Sequence, residues 1–246
     1  MIKKDFNMVN NIIIPKYNNK GVFLRQIRSF VIRNKKINDS GIEIIRNVFP
    51  ILGLSFKIEK INFDKIFNTI SPVVLEIGFG TGKTLVDTAL KNNKKNFLGI
   101  EVHQNSLLKC LKYAHFKKIK NLKVIYHDAE EVMLYMIRNR TLSKVQIFFP
   151  DPWHKKKHYK RRLLKKNFIN LILKKLVLGG TLHVATDCQS YADNIVEIIN
   201  YIPGYKNLSE TNTYIVRPKN RPVTKFEKKA IILNKVIFDL FFEKII

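Results

Sequence analysis

Cysteine, tryptophan and acidic side chains are the scarce components of this chain. Its 246 residues include two cysteines, Cys110 and Cys188, and one tryptophan, Trp153. The cysteines lie far apart and form no CxxC pair. That excludes a disulfide scaffold and a cysteine zinc site, and it suits a reducing compartment. The histidines show no metal-ligand spacing either: His154 and His158 are four apart, but only lysines lie between them, so no metal is expected. No apolar run approaches the ~20 residues a membrane helix needs. The apolar end at 236–246 is broken by Asp239, Glu243 and Lys244, so no membrane partner is expected. The N-terminus mixes Asp5, Asn7, Asn10 and Asn11 into its apolar residues, unlike a signal peptide. The compartment inferred is the cytoplasm. Acids are outnumbered, with 19 Asp and Glu against 45 Lys and Arg, a net charge of +26 and a pI near 10.0. A field of that sign favours polyanions. Lysine far outnumbers arginine and Ile and Asn are abundant, a bias that AT-rich codon usage also produces, so where the charge clusters says more than its total.

What the chain does have is a change of pattern near residue 72. Residues 1–60 show no long period and are expected to form a basic N-terminal extension, partly mobile. Its segment 25–33 carries Arg25, Arg28 and Arg33, a basic face for nucleic acid, and a polar stretch follows at 34–41. Residues 61–246 are expected to form one domain. In it, short apolar runs at 73–77, 97–101, 123–127, 145–149 and 181–185 predict strands. Amphipathic stretches at 83–91, 104–116, from 129, 163–176 and 190–200 predict helices. Late strands, antiparallel, are expected at 211–216 and 236–242. Alternating strands and helices predict an α/β fold with a doubly wound, mostly parallel sheet. Such sheets bind ligands beyond the carboxyl ends of their strands. There the sequence places five acids in succession: Glu76, Glu101, Asp128, Asp151 and Asp187.

The first turn reads Glu76-Ile-Gly78-Phe-Gly80-Thr-Gly82-Lys83-Thr84. A P-loop needs glycine where Ile77 stands, and a dinucleotide fingerprint needs it where Lys83 stands. What remains, ExGxGxG at a strand end, resembles the first motif of class I S-adenosylmethionine-dependent methyltransferases. Glu101 would then accept the ribose hydroxyl protons. Asp128 would take the adenine amino group and Ala129 would supply a backbone N–H. The fourth strand ends in Phe148-Phe149-Pro150-Asp151-Pro152-Trp153, where two prolines stiffen the turn around one acid. Such a carboxylate can accept N1–H and the 2-amino group of guanine while Trp153 stacks on the base. The run that follows, Lys155-Lys156-Lys157-His158-Tyr159-Lys160-Arg161-Arg162, suits phosphates, which position RNA without reading its sequence.

The strings LEIGFGTG (75–82), GIEVH (99–103), FFPDPWHKKKH (148–158), ATD (185–187) and RPVTKFEKKA (221–230), with RSF at 28–30, together resemble the bacterial tRNA (guanine-N7-)-methyltransferase family. That resemblance implies a Rossmann-like class I methyltransferase domain over 61–246. It further implies S-adenosylmethionine as cofactor, and tRNA as partner with a variable-loop guanine (position 46) as target. It places Glu76, Gly78, Gly80, Gly82, Glu101, Asp128, Ala129 and Asp151 at the donor, with Asp151 also catalytic. Lys155, Asp187, Thr224, Lys225, Phe226 and Glu227 would hold the target nucleotide. Lys157, His158, Tyr159, Lys160, Arg161 and Arg162 would contact RNA. A methyltransferase with another substrate, or a tRNA-binding protein without activity, are the alternatives. Monomer and homodimer both stay open.

Overall fold

The computed structural model describes residues 13–23, 26–32 and 36–246. Residues 1–12, and with them Asp5 to Asn11, lie outside the described residues, as do Arg25, Arg33 and Asn34 of the basic segment. The helices are α1 (Asp39–Asn47), α2 (Phe49–Leu52), α3 (Phe63–Phe67), α4 (Lys83–Lys91), α5 (Gln104–Phe116), α6 (Ala129–Glu131), α7 (Lys166–Lys175), α8 (Gln189–Asn200) and α9 (Lys225–Ile232). A π turn, Val132–Met136, continues α6. The strands are β1 (Gly53–Leu54), β2 (Val73–Ile77), β3 (Asn96–Glu101), β4 (Leu122–Tyr126), β5 (Leu142–Phe148), β6 (Leu176–Thr186), β7 (Tyr205–Asn207) and β8 (Phe238–Lys244). They form one sheet in the order β1-β4-β3-β2-β5-β6-β8-β7. The first six in that order run parallel, and β8 and β7 join antiparallel.

Chain order turns back on itself between β2 and its neighbours β3 and β5. That is the switch point at which open α/β sheets leave a crevice. Strand alternation decides what lines it. Val73, Leu75 and Ile77 face a core shared with Leu98, Ile100, Val145, Ile147 and the apolar sides of α7 and α8. Val74 faces the opposite core with Phe97, Leu85 and Leu111 from α4 and α5. Glu76 shares the face of Val74, and its lateral neighbours in register are Gly99 on β3 and Gln146 on β5. Gly99 is glycine because a Cβ there would lie 2.6 Å from the ring of Phe79. Phe79 is buried and anchors the glycine turn to the sheet. Each such apolar side chain contributes roughly 1.5–3 kcal/mol by burial, and this rigid floor is what holds the acids in place.

Three local readings of the sequence change. The polar stretch at 34–41 contains the start of α1, because the Asn38 side chain accepts the N–H of Gly41 and caps the helix. α1 and α2 then bring Val48 and Leu52 into the core behind β4. α7 starts at Lys166 rather than near 163, with the N–H of Leu164 drawn off to the Tyr191 hydroxyl at 3.0 Å. The late strand expected at 211–216 reduces to one bridge, Ile215 to Asp239. Hydroxyls of Ser209, Thr211 and Thr213 bond one another and the local backbone, and Asn212 is left-handed at φ 55°. This folds the segment into a turn, and Tyr205–Asn207 takes the sheet edge instead.

Candidate functional site

The glycine turn leaves an open cradle over two buried carboxylates. Gly78 and Gly80 are left-handed, at φ 76° and 58°, and a Cβ built on either meets nothing within 4 Å. Gly82 differs: its Cβ would lie 2.2 Å from Cys110 Sγ, so this glycine serves packing of α4 on α5. Glu76 is 3% exposed and accepts one hydrogen bond, from Gln146 Nε2 at 2.9 Å. Burial pushes its carboxyl up to about 7, against the Gln146 bond and helped by the nearby Glu101 charge. Glu101 accepts Gly80 N on Oε2 at 2.8 Å, and Val102 N and His103 N on Oε1 at 2.8 and 3.0 Å. Burial still raises its pKa, while those N–H groups and His103 oppose the shift. Two buried carboxylates beside open space suit a ligand that brings positive charge and hydroxyl donors.

Asp128 ends the next turn. Its Oδ1 caps α6 by accepting Glu130 N at 2.8 Å. Its Oδ2 receives Arg28 Nη1 at 2.6 Å, and Arg28 Nη2 reaches Glu131 Oε1 at 3.0 Å. Glu131 Oε2 accepts the N–H of Ile14 at 2.8 Å and lies 2.7 Å from His127 Nε2; the His127 ring stacks on Phe56 at 3.7 Å. Burial raises Asp128, and Arg28 pulls it back. Arg28 therefore turns inward rather than presenting a basic face. One residue on, the carbonyl of Ser29 accepts Trp153 Nε1 at 3.1 Å. Segment 26–32 thus runs from the Asp128 turn to the Asp151 turn. Nothing in the sequence signals pairs separated by 100 and 124 positions.

Asp151 sits exposed on the turn after β5. Phe149 and Trp153, which bracket Pro150-Asp151-Pro152, are both left-handed, at φ 54° and 50°. Bulky residues rarely adopt this region, and each costs about 1–3 kcal/mol. The turn is held nonetheless: Phe149 N donates to Ala185 O at 2.7 Å. The Phe149 ring lies nearly parallel to that of Phe226, 6.5 Å between centroids and 20° between planes. Phe226 is 61% exposed.

The basic run forms a 3-10 helix, Lys156–Arg161, after Lys155. Lys155, Lys156, Lys157 and Lys160 are exposed. Tyr159 is half-buried, as are His158 and Arg161, which pack on Trp153 at 5.9 and 4.9 Å. Partial desolvation and the surrounding Lys157, Arg161, Lys155 and Lys160 hold His158 below the usual imidazole range. Arg162 stands apart from the exposed cations. It is 2% exposed, and its guanidinium points inward.

The segment 221–230 places its residues on two sides of α9. Thr224 and Glu227 form a capping box. Lys225 and Phe226 face outward. Glu227 is 1% exposed; its carboxylate receives Arg217 Nε at 2.6 Å and Arg221 Nη1 and Nη2 at 2.7 and 2.8 Å. Arg221 also bonds Asp239, which lies 2.8 Å from His183 Nε2. Asp187 accepts Lys235 Nζ at 2.7 Å. Among the described residues no helix is long and apolar enough to cross a membrane, and no group of three or more His, Cys, Asp or Glu could hold a metal ion.

Comparison with known proteins agrees with this architecture. A family model described as "Putative methyltransferase" matches residues 70–240. The chain is 53% identical over 236 residues to the "tRNA (guanine-N(7)-)-methyltransferase" of Buchnera aphidicola subsp. Acyrthosiphon pisum (strain 5A), covering 96% of this chain and 99% of that one. It is 45% identical over 238 residues to the protein of the same name from Salmonella choleraesuis (strain SC-B67), covering 97% and 100%. Among solved structures, the 16S rRNA methyltransferase KamB aligns with a TM-score of 0.59 at 13% identity, over 80% of this chain and 99% of that one. That last likeness concerns the fold.

Proposed function

Because the chain belongs to the tRNA (guanine-N7-)-methyltransferase family, we propose that it moves a methyl group from S-adenosylmethionine to N7 of a variable-loop guanine (position 46) in tRNA. The observation that carries this reading is the cradle beside Gly78 and Gly80, floored by buried Glu76 and Glu101 and one strand away from the Asp151 turn. When bound, S-adenosylmethionine supplies an electrophilic methyl group on a sulfonium.

This chain's residues bind and orient. Glu76, desolvated and without a cationic partner among its hydrogen bonds, suits the donor's ammonium. Glu101 has about four lone-pair sites, and three already accept backbone N–H groups. The site left on Oε2 takes a ribose hydroxyl. Asp128 keeps a lone pair on each oxygen for the adenine amino group. Ala129, in the first turn of α6, supplies an N–H without an intrahelical partner. On the other side, Asp151 accepts N1–H and the 2-amino group of the guanine, and the exposed ring of Phe226 offers a stacking face. By the family resemblance Lys155, Lys225 and Asp187 would hold the target nucleotide, while Thr224 and Glu227 fix the end of α9 that carries Phe226. Guanine N7 has a free lone pair at neutral pH, so no side chain has to remove a proton. Aligning the two reactants supplies roughly 7–11 kcal/mol, and Asp151 offsets the positive charge that develops on the base.

Base-resolved mapping of N7-methylguanine, in tRNA incubated with the purified protein and S-adenosylmethionine, tests the reading. One modified variable-loop guanine is expected; methylation of another base, or of duplex DNA in place of tRNA, would sink it.

A further inference from the structure

The buried member of the basic run sits where it can act on the Asp151 turn rather than on RNA. Arg162 Nε donates to the carbonyl of Pro152 at 2.9 Å. Its Nη1 and Nη2 reach the carbonyl and hydroxyl of Ser190, at the start of α8, at 3.3 and 3.4 Å. The guanidinium lies against two rings, Tyr159 at 3.7 Å and Tyr191 at 4.6 Å. Tyr191 is fully buried and accepts Leu164 N, so that side of the clamp belongs to the core. The N–H of Arg162 closes the 3-10 helix on Tyr159 O at 2.9 Å. One residue thus touches the last turn of the basic helix, the core helix α8 and the proline that follows Asp151.

We propose that Arg162 is a positioning residue. It pins the strained Pro150-Asp151-Pro152 turn to α8 and couples it to the exposed helix Lys156–Arg161, so that RNA held by that helix sets the placement of Asp151. The chemistry of the side chain supports this assignment over a phosphate contact. All of its nitrogens point at protein acceptors, and a guanidinium packed against two rings in a side chain 2% exposed leaves almost nothing for solvent or phosphate. Two left-handed aromatics hold the turn in an unfavourable backbone conformation, and such geometry persists only where the surroundings over-determine it. A lysine would keep the charge but lose the planar fork that serves Pro152 and Ser190 together.

This proposal rests on the methyl-transfer reading, and its test separates the two. Arg162→Met, Arg162→Lys and Arg161→Met are compared with the unaltered protein. The measurements are single-turnover methyl transfer at saturating tRNA and donor, tRNA affinity across a salt series, thermal unfolding, and acrylamide quenching of Trp153, the single tryptophan one residue beyond Pro152. We expect Arg162→Met to slow transfer at least ~10-fold, with Arg162→Lys intermediate. Both should keep the parental salt slope and expose Trp153 to quenching. Arg161→Met should instead flatten the salt slope. A flattened slope in the Arg162 variants would make this residue an RNA contact and overturn the proposal. So would parental rates with unchanged quenching. If Arg162→Met does not fold, Arg162→Lys alone decides by the same measurements. If the unaltered protein methylates no tRNA, the functional reading falls, while the salt slope and Trp153 quenching still judge the pin.

Discussion

The two halves of the crevice hold their functional groups by opposite means. On the proposed donor side, Glu76 and Glu101 are buried on central parallel strands, and desolvation dominates their behaviour. On the proposed substrate side, Asp151 and Lys155 to Lys160 sit on a turn and a short 3-10 helix, held by a few specific bonds and by strained backbone. The donor half is fixed by the fold itself. The substrate half is fixed by side chains that reach back to the fold: Arg162 to Pro152, Trp153 to Ser29, Glu227 to Arg217 and Arg221. A small cationic ligand calls for the first arrangement. A large polyanion, which has to approach and leave, calls for the second.

The sharpest way to break this comparison is at Asp151. Asp151→Asn should leave folding intact, because the side chain is exposed, and should cut methyl transfer by about 10²–10³-fold, the usual loss when a group that offsets transition-state charge is removed. Donor affinity, measured by calorimetry, should change little. Near-parental turnover in this variant would remove Asp151 from the chemistry.

The next effect is a pH dependence confined to the donor side. Folded Glu76 titrates near 7 against an ordinary 4.5. A bound ammonium favours its ionised form, so donor affinity should rise as pH climbs through 7 and level off above it. Folding responds in the opposite sense. An acid whose folded pKa is raised is fully stabilising only below 4.5 and loses ~3 kcal/mol of stability as pH rises from there to 7. Glu76→Gln should therefore raise Tm by a few degrees at pH 8 while abolishing donor binding. Loss of both stability and binding would point to a purely structural role.

A smaller effect is expected where the halves meet. Arg28→Met removes the cation from Asp128 and Glu131. Burial already raises the Asp128 carboxyl; without Arg28 it rises further, which disfavours the ionised form. Donor affinity should fall several-fold at pH 7 and recover as pH rises, and Trp153 emission should shift as the Ser29 contact loosens. Pure loss of RNA affinity, with donor binding unchanged, would show that the inward geometry of Arg28 does not matter.

The donor side was the more legible in sequence, for a physical reason. Buried parallel strands are continuous apolar runs, so 73–77 reads directly, and an acid inside such a run, Glu76, stands out. The glycine spacing marked the turn, although only space-filling shows that Gly82 faces Cys110 while Gly78 and Gly80 face open space. The substrate side was legible as strings and not as directions. Proline and charge located the turn and the basic run, but nothing in Arg161-Arg162 says which guanidinium points out and which in. That depends on Tyr191 and Ser190, nearly 30 residues away. Likewise TKFE identified the start of α9, and only the fold shows Glu227 turned inward onto Arg217 and Arg221. The segment 211–216 has strand-like residues, yet its hydroxyls prefer one another to a ladder.

The smallest effects should come from the exposed lysines taken singly. Each phosphate contact that Lys157 or Lys160 makes releases roughly one counterion, so removing one should reduce the slope of log affinity against log salt by about 0.7–0.9. Lys157→Gln and Lys160→Gln should each weaken tRNA binding only a few-fold and leave single-turnover rates at saturating tRNA unchanged. Both side chains are exposed, and charges this exposed are screened. Their slopes should also add, because phosphate contacts act independently. A double variant that lost transfer rate at saturation would mean that the outer face of the helix, and not only Arg162 behind it, sets the placement of Asp151. The division between a surface that gathers RNA and a pin that aligns the carboxylate would then have to be redrawn.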